Sequence, residues 1–522
     1  MHPQEQEAAQ PGEPVSPDVA DAAPELPLIL LSHRGPVTFG RNADGERVVS
    51  KGSGGLVTAL LGLAQYLGDA VWICAAATEE DAAVAREAKR HPVRVITTPM
   101  PHVADEGEEG PDVLVDMIEI DEERQAEFYG VFSNPILWFI QHGLYGLAES
   151  PVLTAAEHHA FEHGYAGVNE QMADELARLV EERDGRALVL IQDYHFYLVA
   201  DSVRRRCPNV VLSHFVHIPW PGPEAWRVLP PWIRERLLRG LLGSDIVAFH
   251  TRRYARNFLL CVQDLLGLDV DPDEMTISVD DRTVRVRHYP ISVDPAALIA
   301  LADSQEVHRS TDELSDRFLN SGNRLILRVD RTDPSKNVVR GFLAFGTLLD
   351  QHPELVGRVS FLALLQPSRK DVPEYSDYIS NIGATVADIN ARHTREGQQP
   401  IDLQLIEDFP FAVAAYCVCD VLVVNALADG MNLVAKEFSV VNRRDGVLAL
   451  SETTGAWEEL GQDAVTLYPF DVQQQADALY EALMMSADER HRRLEAIRAQ
   501  VVGSDIQRWL ASQLDDLRVL MR

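Results

Sequence analysis

The chain has 522 residues, enough for two to four domains of ordinary size. Apolar residues make up 46% and charged residues 24%, so a large core can form without disulfides or metal. Lys and Arg number 47 against 80 Asp and Glu, and the net charge of −33 excludes a generic binder of nucleic acid or anionic membrane, while leaving room for a local basic pocket around a small phosphorylated ligand.

Residues 1–25 hold five prolines and six acids with no Lys or Arg, so 1–26 is expected to be a disordered acidic tail. It has neither the basic start nor the apolar stretch of a signal peptide. No apolar run approaches the roughly 18 residues of a membrane helix. Cys74, Cys207, Cys261, Cys417 and Cys419 sit mostly inside apolar runs. They read as reduced core thiols of a cytoplasmic protein. Cys417 and Cys419 have no second Cys/His pair nearby, so they read as core filler rather than metal ligands.

The first apolar run, 26–35, ends in His33-Arg34-Gly35. Gly52-Ser53-Gly54-Gly55 follows and opens an amphipathic segment at 56–67. Glycines before a helix let backbone N–H groups approach an anion or a sugar, though the same residues also make ordinary loops. Further apolar runs lie at 70–78, 187–193, 209–219 and 245–251, with amphipathic segments at 154–183 and 252–266. Each run is short and apolar on both faces, as in strands buried between helix layers of a parallel sheet. Asp193-Tyr194-His195 ends one run and His217-Ile218-Pro219 the next. Residues 267–295 contain a hairpin turning at Asp280–Asp281.

A second series follows the polar stretch 302–322. Its runs are 323–330, 358–367, 402–408, 420–427, 446–452 and 464–469, with helices predicted at 338–351 and 375–393. Arg331 and Lys336 lie five apart on the loop after its first strand. Such a pair can clamp a diphosphate whose charge grows as its bond to a sugar breaks. Asp429-Gly430-Met431-Asn432-Leu433 opens a helix whose first N–H groups can hold an anion. Asp429 there reads either as a simple helix cap or as an acceptor from sugar hydroxyls. Residues 472–522 read as helix with no strand. Strand–helix alternation of this kind specifies an α/β fold of doubly wound parallel sheets. The expected division is 27–300, 301–480 and a helical segment 481–522 that crosses back onto the first half. Two facing sheets leave a cleft at the carboxyl ends of their strands, the default ligand site of open α/β sheets.

With these residues assembled, the chain resembles the trehalose-6-phosphate synthases, retaining glycosyltransferases of family 20 with the two-Rossmann GT-B fold. The resemblance runs over roughly 27–520. It is carried by FSNPILW (132–138), QDYH (192–195), HIPWPGPE (217–224), DRTDPSKN (330–337), PSRKDVPEY (367–375) and DGMNLVAKE (429–437). It implies transfer of glucose from a nucleotide-glucose to glucose 6-phosphate. Arg34, Tyr129, Trp138 and Arg369 match positions that hold the acceptor phosphate, and Asp193 one that contacts the acceptor sugar. Gly55 matches a mobile loop near the donor phosphates, and His217 a contact to donor glucose. Arg331 and Lys336 match the diphosphate pair. Asp429, Gly430, Met431, Asn432 and Leu433 match the donor loop, and Glu437 the ribose acid. Asp193, His217, Arg331, Lys336 and Asp429 are the residues expected at the reacting centre. No cofactor, metal, nucleic acid or membrane is implied, and the oligomeric state is open between monomer and homo-oligomer.

The chain departs from the family pattern at Gln192 (usually His), Ala428 (usually Arg) and Asn337 (usually Gly). The stretch 406–411 departs most. Glu407 and Asp408 there could accept from the N1–H and exocyclic amine of guanine together, so GDP-glucose is the favoured donor, ahead of UDP-glucose. Two alternatives are weighed. A pseudo-glycosyltransferase joining cyclitols through nitrogen would have an altered DGMNLVAKE loop. An inactive sugar-phosphate sensor would have lost the phosphate-binding cations.

Overall fold

The computed structural model describes residues 26–52, 60, 70–96, 112–369 and 372–521. The acidic tail, Gly55 and most of the segment 56–67 lie outside these residues.

The first half builds on one sheet. Its strands are β1 (Leu28–Ser32), β4 (Val71–Ala75), β5 (Val93–Ile96), β6 (Asp112–Ile118), β7 (Leu188–Gln192), β8 (Val211–Phe215), β9 (Ile246–Phe249), β10 (Val270–Asp271), β11 (Thr276–Val279) and β12 (Arg282–His288), while β2 (Val37–Arg41) and β3 (Arg47–Lys51) pair apart as a hairpin. The order is β10-β11-β12-β9-β8-β7-β1-β4-β6-β5. Strands β1, β4 and β7 are buried along their whole length. That explains their uninterrupted apolar sequences, since helices cover both faces of a parallel sheet. β1 pairs in parallel with β4 on one side and β7 on the other, so the chain order reverses there. The expected hairpin is present, with β11 and β12 antiparallel around Asp280–Asp281.

The second sheet comprises β13 (Arg324–Arg331), β14 (Val359–Gln366), β15 (Ile401–Leu405), β16 (Val421–Val424), β17 (Val447–Ser451) and β18 (Val465–Leu467). All pair in parallel, in the order β15-β14-β13-β16-β17-β18. Counted from β13, this is the 3-2-1-4-5-6 order of a dinucleotide-type fold, with its crevice at the carboxyl ends of β13 and β16. Helices Val338–Gln351 and Pro373–His393 form close to where the apolar spacing puts them.

The expected crossing of the C-terminal helix is present. Ile506–Met521 leaves the second half and docks on the first. Trp509 packs against Phe215 at the end of β8, its Nε1–H donates to Tyr289 O at 3.2 Å, and Tyr289 Oη donates to Asp516 at 2.6 Å. Among the described residues no helix is long and apolar enough to cross a membrane, and the five cysteines are buried and free.

Candidate active site

The carboxyl ends of the two sheets meet around the polar residues that end the apolar runs. From the first half, β7 delivers Asp193 with φ 71° and ψ 179°. That region is open to glycine and costs other residues about 1–3 kcal/mol, so the surroundings must hold Asp193 there. They do so through Asp193 N–H donating to Phe215 O at 2.7 Å and His217 N–H donating to its carboxylate at 3.1 Å. Burial pushes the Asp193 carboxyl up to about 7, against the pull of Arg369 and Arg331.

His217 is held on both sides of its ring. Its Nε2 lies 2.8 Å from Gln192 Oε1, and its Nδ1 lies 3.2 Å from His250 Nε2. A carboxamide oxygen only accepts, so Nε2 carries the proton and Nδ1 must accept one from His250. His250 Nδ1 in turn lies between the Tyr289 carbonyl oxygen at 3.4 Å and the Ile291 N–H at 3.5 Å. Burial keeps both rings neutral, His250 down to about 3 and His217 well below its ordinary range. The departure to Gln192 thus supplies an acceptor that fixes one tautomer of His217.

Tyr129 and Trp138 come from the π-helical stretch Ala126–Trp138, a wide helix geometry common at functional sites. Trp138 joins the two halves. Arg369 lies 4.1 Å from its ring centroid and Arg331 5.4 Å, both as cation–π contacts. Arg369 donates to Tyr194 Oη and to Asp333, each at 3.2 Å, and also bonds Tyr375. Burial opposes ionisation of Tyr129, yet Arg369 and Arg34 hold its phenol below the ordinary value. The four expected phosphate-binding residues are therefore drawn together, with Arg34 at the exposed rim. His33 stacks on Tyr129 and on His195 with centroids 5.1 and 4.6 Å apart. His33 Nε2, His195 Nε2 and Trp138 Nε1 are buried with no hydrogen-bond partner among the described residues. Buried polar atoms are nearly always paired, and these three lie beside the Arg34 and Arg369 guanidinium groups.

From the second half, Lys336 is ion-paired with Asp429, which also accepts from Asn432 Nδ2 at 3.1 Å. Burial works against the Asp429 carboxylate, but Lys336 keeps it below the usual range. Asn432, with φ 88°, caps the helix Leu433–Val441, and Met431 is buried. Gly430 touches the first half so closely that a Cβ there would lie 1.9 Å from His217 O. Tyr254 Oη donates to Asp429 O at 2.8 Å across the same seam. Glu437 accepts from Tyr416 Oη at 3.2 Å, and burial pushes its carboxyl up to about 7. Asn337 has φ 57° and directly precedes the helix Val338–Gln351, its Nδ2 donating to Asn425 O at 3.0 Å and Pro469 O at 2.6 Å. Asn tolerates this left-handed conformation better than other residues with a side chain, so it can stand where glycine is usual.

Glu407 and Asp408 do not join this cluster as a pair. Both are exposed at the end of the edge strand β15, and Asp408 Oδ1 accepts from Phe411 N–H at 2.9 Å as the cap of Phe409–Val418. The unsatisfied N–H groups at that helix start engage Asp408, while Glu407 stays exposed beside it. Gly55 lies outside the described residues. Sequence reasoning missed His142, Asp333 and Tyr375. His142 stacks on Trp138 at 4.0 Å and donates from Nδ1 to Trp138 O at 2.8 Å; burial lowers its pKa to about 4. Asp333 is held down to about 2, its burial outweighed by Arg369 and Arg331. Asp333 and Tyr375 lay within the quoted motifs, but His142 had no local signal.

Comparison with known proteins now adds independent findings. The family model for glycosyltransferase family 20 matches residues 27–519. An Aspergillus niger protein named alpha,alpha-trehalose-phosphate synthase [UDP-forming] 2 is 32% identical over 482 residues, covering 90% of this chain and 92% of its own. A Thermoproteus tenax bifunctional trehalose-6-phosphate synthase/phosphatase is 37% identical over 395 residues, 75% of this chain; the match spans about half (52%) of that longer protein. The Escherichia coli trehalose-6-phosphate protein bound with UDP-2-fluoro glucose superposes with a TM-score of 0.78 at 27% identity, covering 94% of this chain and 98% of that one. A Burkholderia xenovorans alpha,alpha-trehalose-phosphate synthase (UDP-forming) in complex with glucose-6-phosphate gives 0.78 at 28% identity, covering 94% and 99%.

Proposed function

The chain belongs to glycosyltransferase family 20 and is a hexosyltransferase; from that premise we propose that it makes trehalose 6-phosphate, moving glucose from a nucleotide-glucose to glucose 6-phosphate with retention at the anomeric carbon. The observation that carries this reading is the meeting of Arg34, Tyr129 and Trp138 from the first half with Arg369 and the Lys336–Asp429 pair from the second.

The acceptor phosphate sits against Arg34, Arg369 and Tyr129, where the unpartnered His33, His195 and Trp138 nitrogens meet sugar and phosphate oxygens. The donor diphosphate lies against Arg331, Lys336 and the N–H groups at the start of Leu433–Val441, and Glu437 takes the ribose hydroxyls. As the glycosidic bond stretches, charge grows on the leaving phosphate, and cations already fixed there stabilise it without reorganising. The acceptor hydroxyl attacks on the face the diphosphate leaves, and the leaving phosphate oxygen takes its proton. The protein supplies position and field, so no carboxylate pair acts as in glycoside hydrolysis. His217 is neutral and its ring nitrogens are engaged by Gln192 and His250, so it orients rather than transfers protons.

The guanine reading called for one carboxylate, Glu407 or Asp408, against the base; Asp408 caps its helix and Glu407 stays exposed at the strand end. The donor we propose is instead UDP-glucose, because the relatives above are named for UDP. The test is incubation with glucose 6-phosphate and UDP-, GDP- or ADP-glucose in turn. Expected is a disaccharide phosphate plus the nucleoside diphosphate, fastest with UDP-glucose. Absence of disaccharide phosphate with every donor would overturn the synthase reading; a preference for GDP-glucose would overturn only the donor.

A further inference from the structure

Away from the cleft, three side chains converge between two packed helices. His159 and His163 are four residues apart on the helical run 155–181, the spacing that puts side chains on one face. Their rings are parallel with centroids 5.1 Å apart. Glu127 reaches them from Ala126–Trp138, with one carboxylate oxygen 2.7 Å from His163 Nδ1 and the other 3.4 Å from His159 Nε2. One donor atom from each of the three lies within 4.8 Å of the others. Gly164 makes the approach possible, since a Cβ there would lie 2.6 Å from Glu127 Cβ. Side-chain exposure rises from 19% at Glu127 through 34% at His163 to 61% at His159, so the cluster is anchored at its base and open to solvent at its rim.

We propose that Glu127, His159 and His163 bind a divalent transition ion of the Zn²⁺ class, with one coordination position left to water. Two imidazole nitrogens and one carboxylate oxygen suit a borderline ion, whereas Mg²⁺ and Ca²⁺ call for oxygen throughout. In a tetrahedral site with bonds of about 2.0–2.1 Å, donor atoms stand roughly 3.3–3.4 Å apart. The Glu127–His159 separation already matches, and the half-exposed His163 ring has to draw back from its 2.7 Å contact with Glu127 to reach the same spacing. The nearby Arg236 is paired with Glu162 at 2.8 Å. Binding replaces the His163–Glu127 hydrogen bond with two metal bonds, the ring proton of neutral His163 then sitting on Nε2. The ion pins together two helices, one of which carries Tyr129 two residues beyond Glu127, and takes no part in glucose transfer.

The test uses the full, tag-free chain stripped with chelator and titrated with Zn²⁺ by calorimetry, with Co²⁺ absorption as a second readout. Expected are one strong equivalent per chain, tetrahedral Co²⁺ bands, and a Zn²⁺-dependent rise in melting temperature. His159→Ala, His163→Ala and Glu127→Gln should each weaken Zn²⁺ binding at least about tenfold. Circular dichroism checks that each variant is folded, and His159→Ala should leave kcat unchanged. Failure of the wild type to bind one equivalent, or unchanged binding in the His159→Ala/His163→Ala double variant, would overturn the proposal.

Discussion

Arg331 and Lys336 carry formal charge of the same sign, yet their settings differ. Lys336 neutralises Asp429, whereas Arg331 lies over Trp138. Arg331→Ala should therefore lower kcat by about 100- to 1000-fold with little change in melting temperature. Lys336→Ala should cost as much in kcat and also destabilise the fold, because it leaves Asp429 buried without its cation. Steady-state kinetics beside thermal melts distinguish the two, and near-normal turnover in both variants would sink the clamp. Glu437 gives a pH signature. Its folded pKa of about 7 stands above the roughly 4.3 of a free glutamate, so between those values the folded state holds a proton the unfolded chain has lost. Stability thus falls as pH rises through that window. Ribose hydroxyls need the ionised form, so UDP-glucose should bind roughly tenfold more tightly at pH 8 than at pH 6. Glu437→Gln should flatten the titration, and an unaltered pH dependence in that variant would remove Glu437 from the ribose site. At this scale much of the site was legible because polar residues ending an apolar run stand out. Asp193, His217, Lys336 and Asp429 all did. His142 was hidden because its importance comes from stacking on Trp138, and the capping role of Asp408 was misread because only the folded helix shows the N–H groups it satisfies.

At the level of elements, the loop 429–433 fits the end of β8 with no room to spare. Gly430→Ala would drive a methyl group into the His217 carbonyl, a contact with rigid backbone. The variant should fold, because each sheet keeps an apolar cluster on its outer face, but the seam should open and kcat/KM should fall by at least about 100-fold, as misplacing reacting groups by an ångström does. Full activity in Gly430→Ala would show that the seam does not set the geometry of the reacting centre. The central strands were plain in the sequence because burial on both faces leaves no polar alternation. The hairpin β2–β3, the edge strand β5 and its neighbour β6 were not. Val48 and Val49 in β3 face solvent, and Asp112 and Asp116 interrupt β6, so neither reads as a doubly buried strand. The π-helical turns at 126–138 and 160–166 left no periodic mark, since widening a helix changes the hydrogen-bond step more than the residue types.

For the molecule as a whole, the final helix is a structural part of the first half. Trp509 is 3% exposed against Phe215 and His217, and Leu510, Leu514 and Leu517 bury with it. Trp509→Ala should cost about 3–5 kcal/mol in urea unfolding. It should also weaken donor binding by loosening the His217 ring, which isothermal titration with UDP-glucose would read. A loss below about 1 kcal/mol would mean the helix rests on the sheet without supporting it. The two-sheet plan and this crossing followed from the order of apolar runs and from a terminal helix with no strand beside it. The contacts that bring the halves together did not, because they join residues far apart in sequence.

The return of that helix also settles how the mouth of the enzyme can gape. The chain passes between the halves near Val293 on the way out and near Ile506 on the way back, and Ile506 N–H donates to Val293 O at 3.0 Å. The two passages are therefore stitched side by side into one spine. The chain crosses between the halves along this spine, so once the contacts at Tyr254 and Gly430 release, the halves part like the covers of a book. Displacement is smallest at the binding edge and greatest at the free edge, so substrates and products must pass on the side away from Val293 and Ile506.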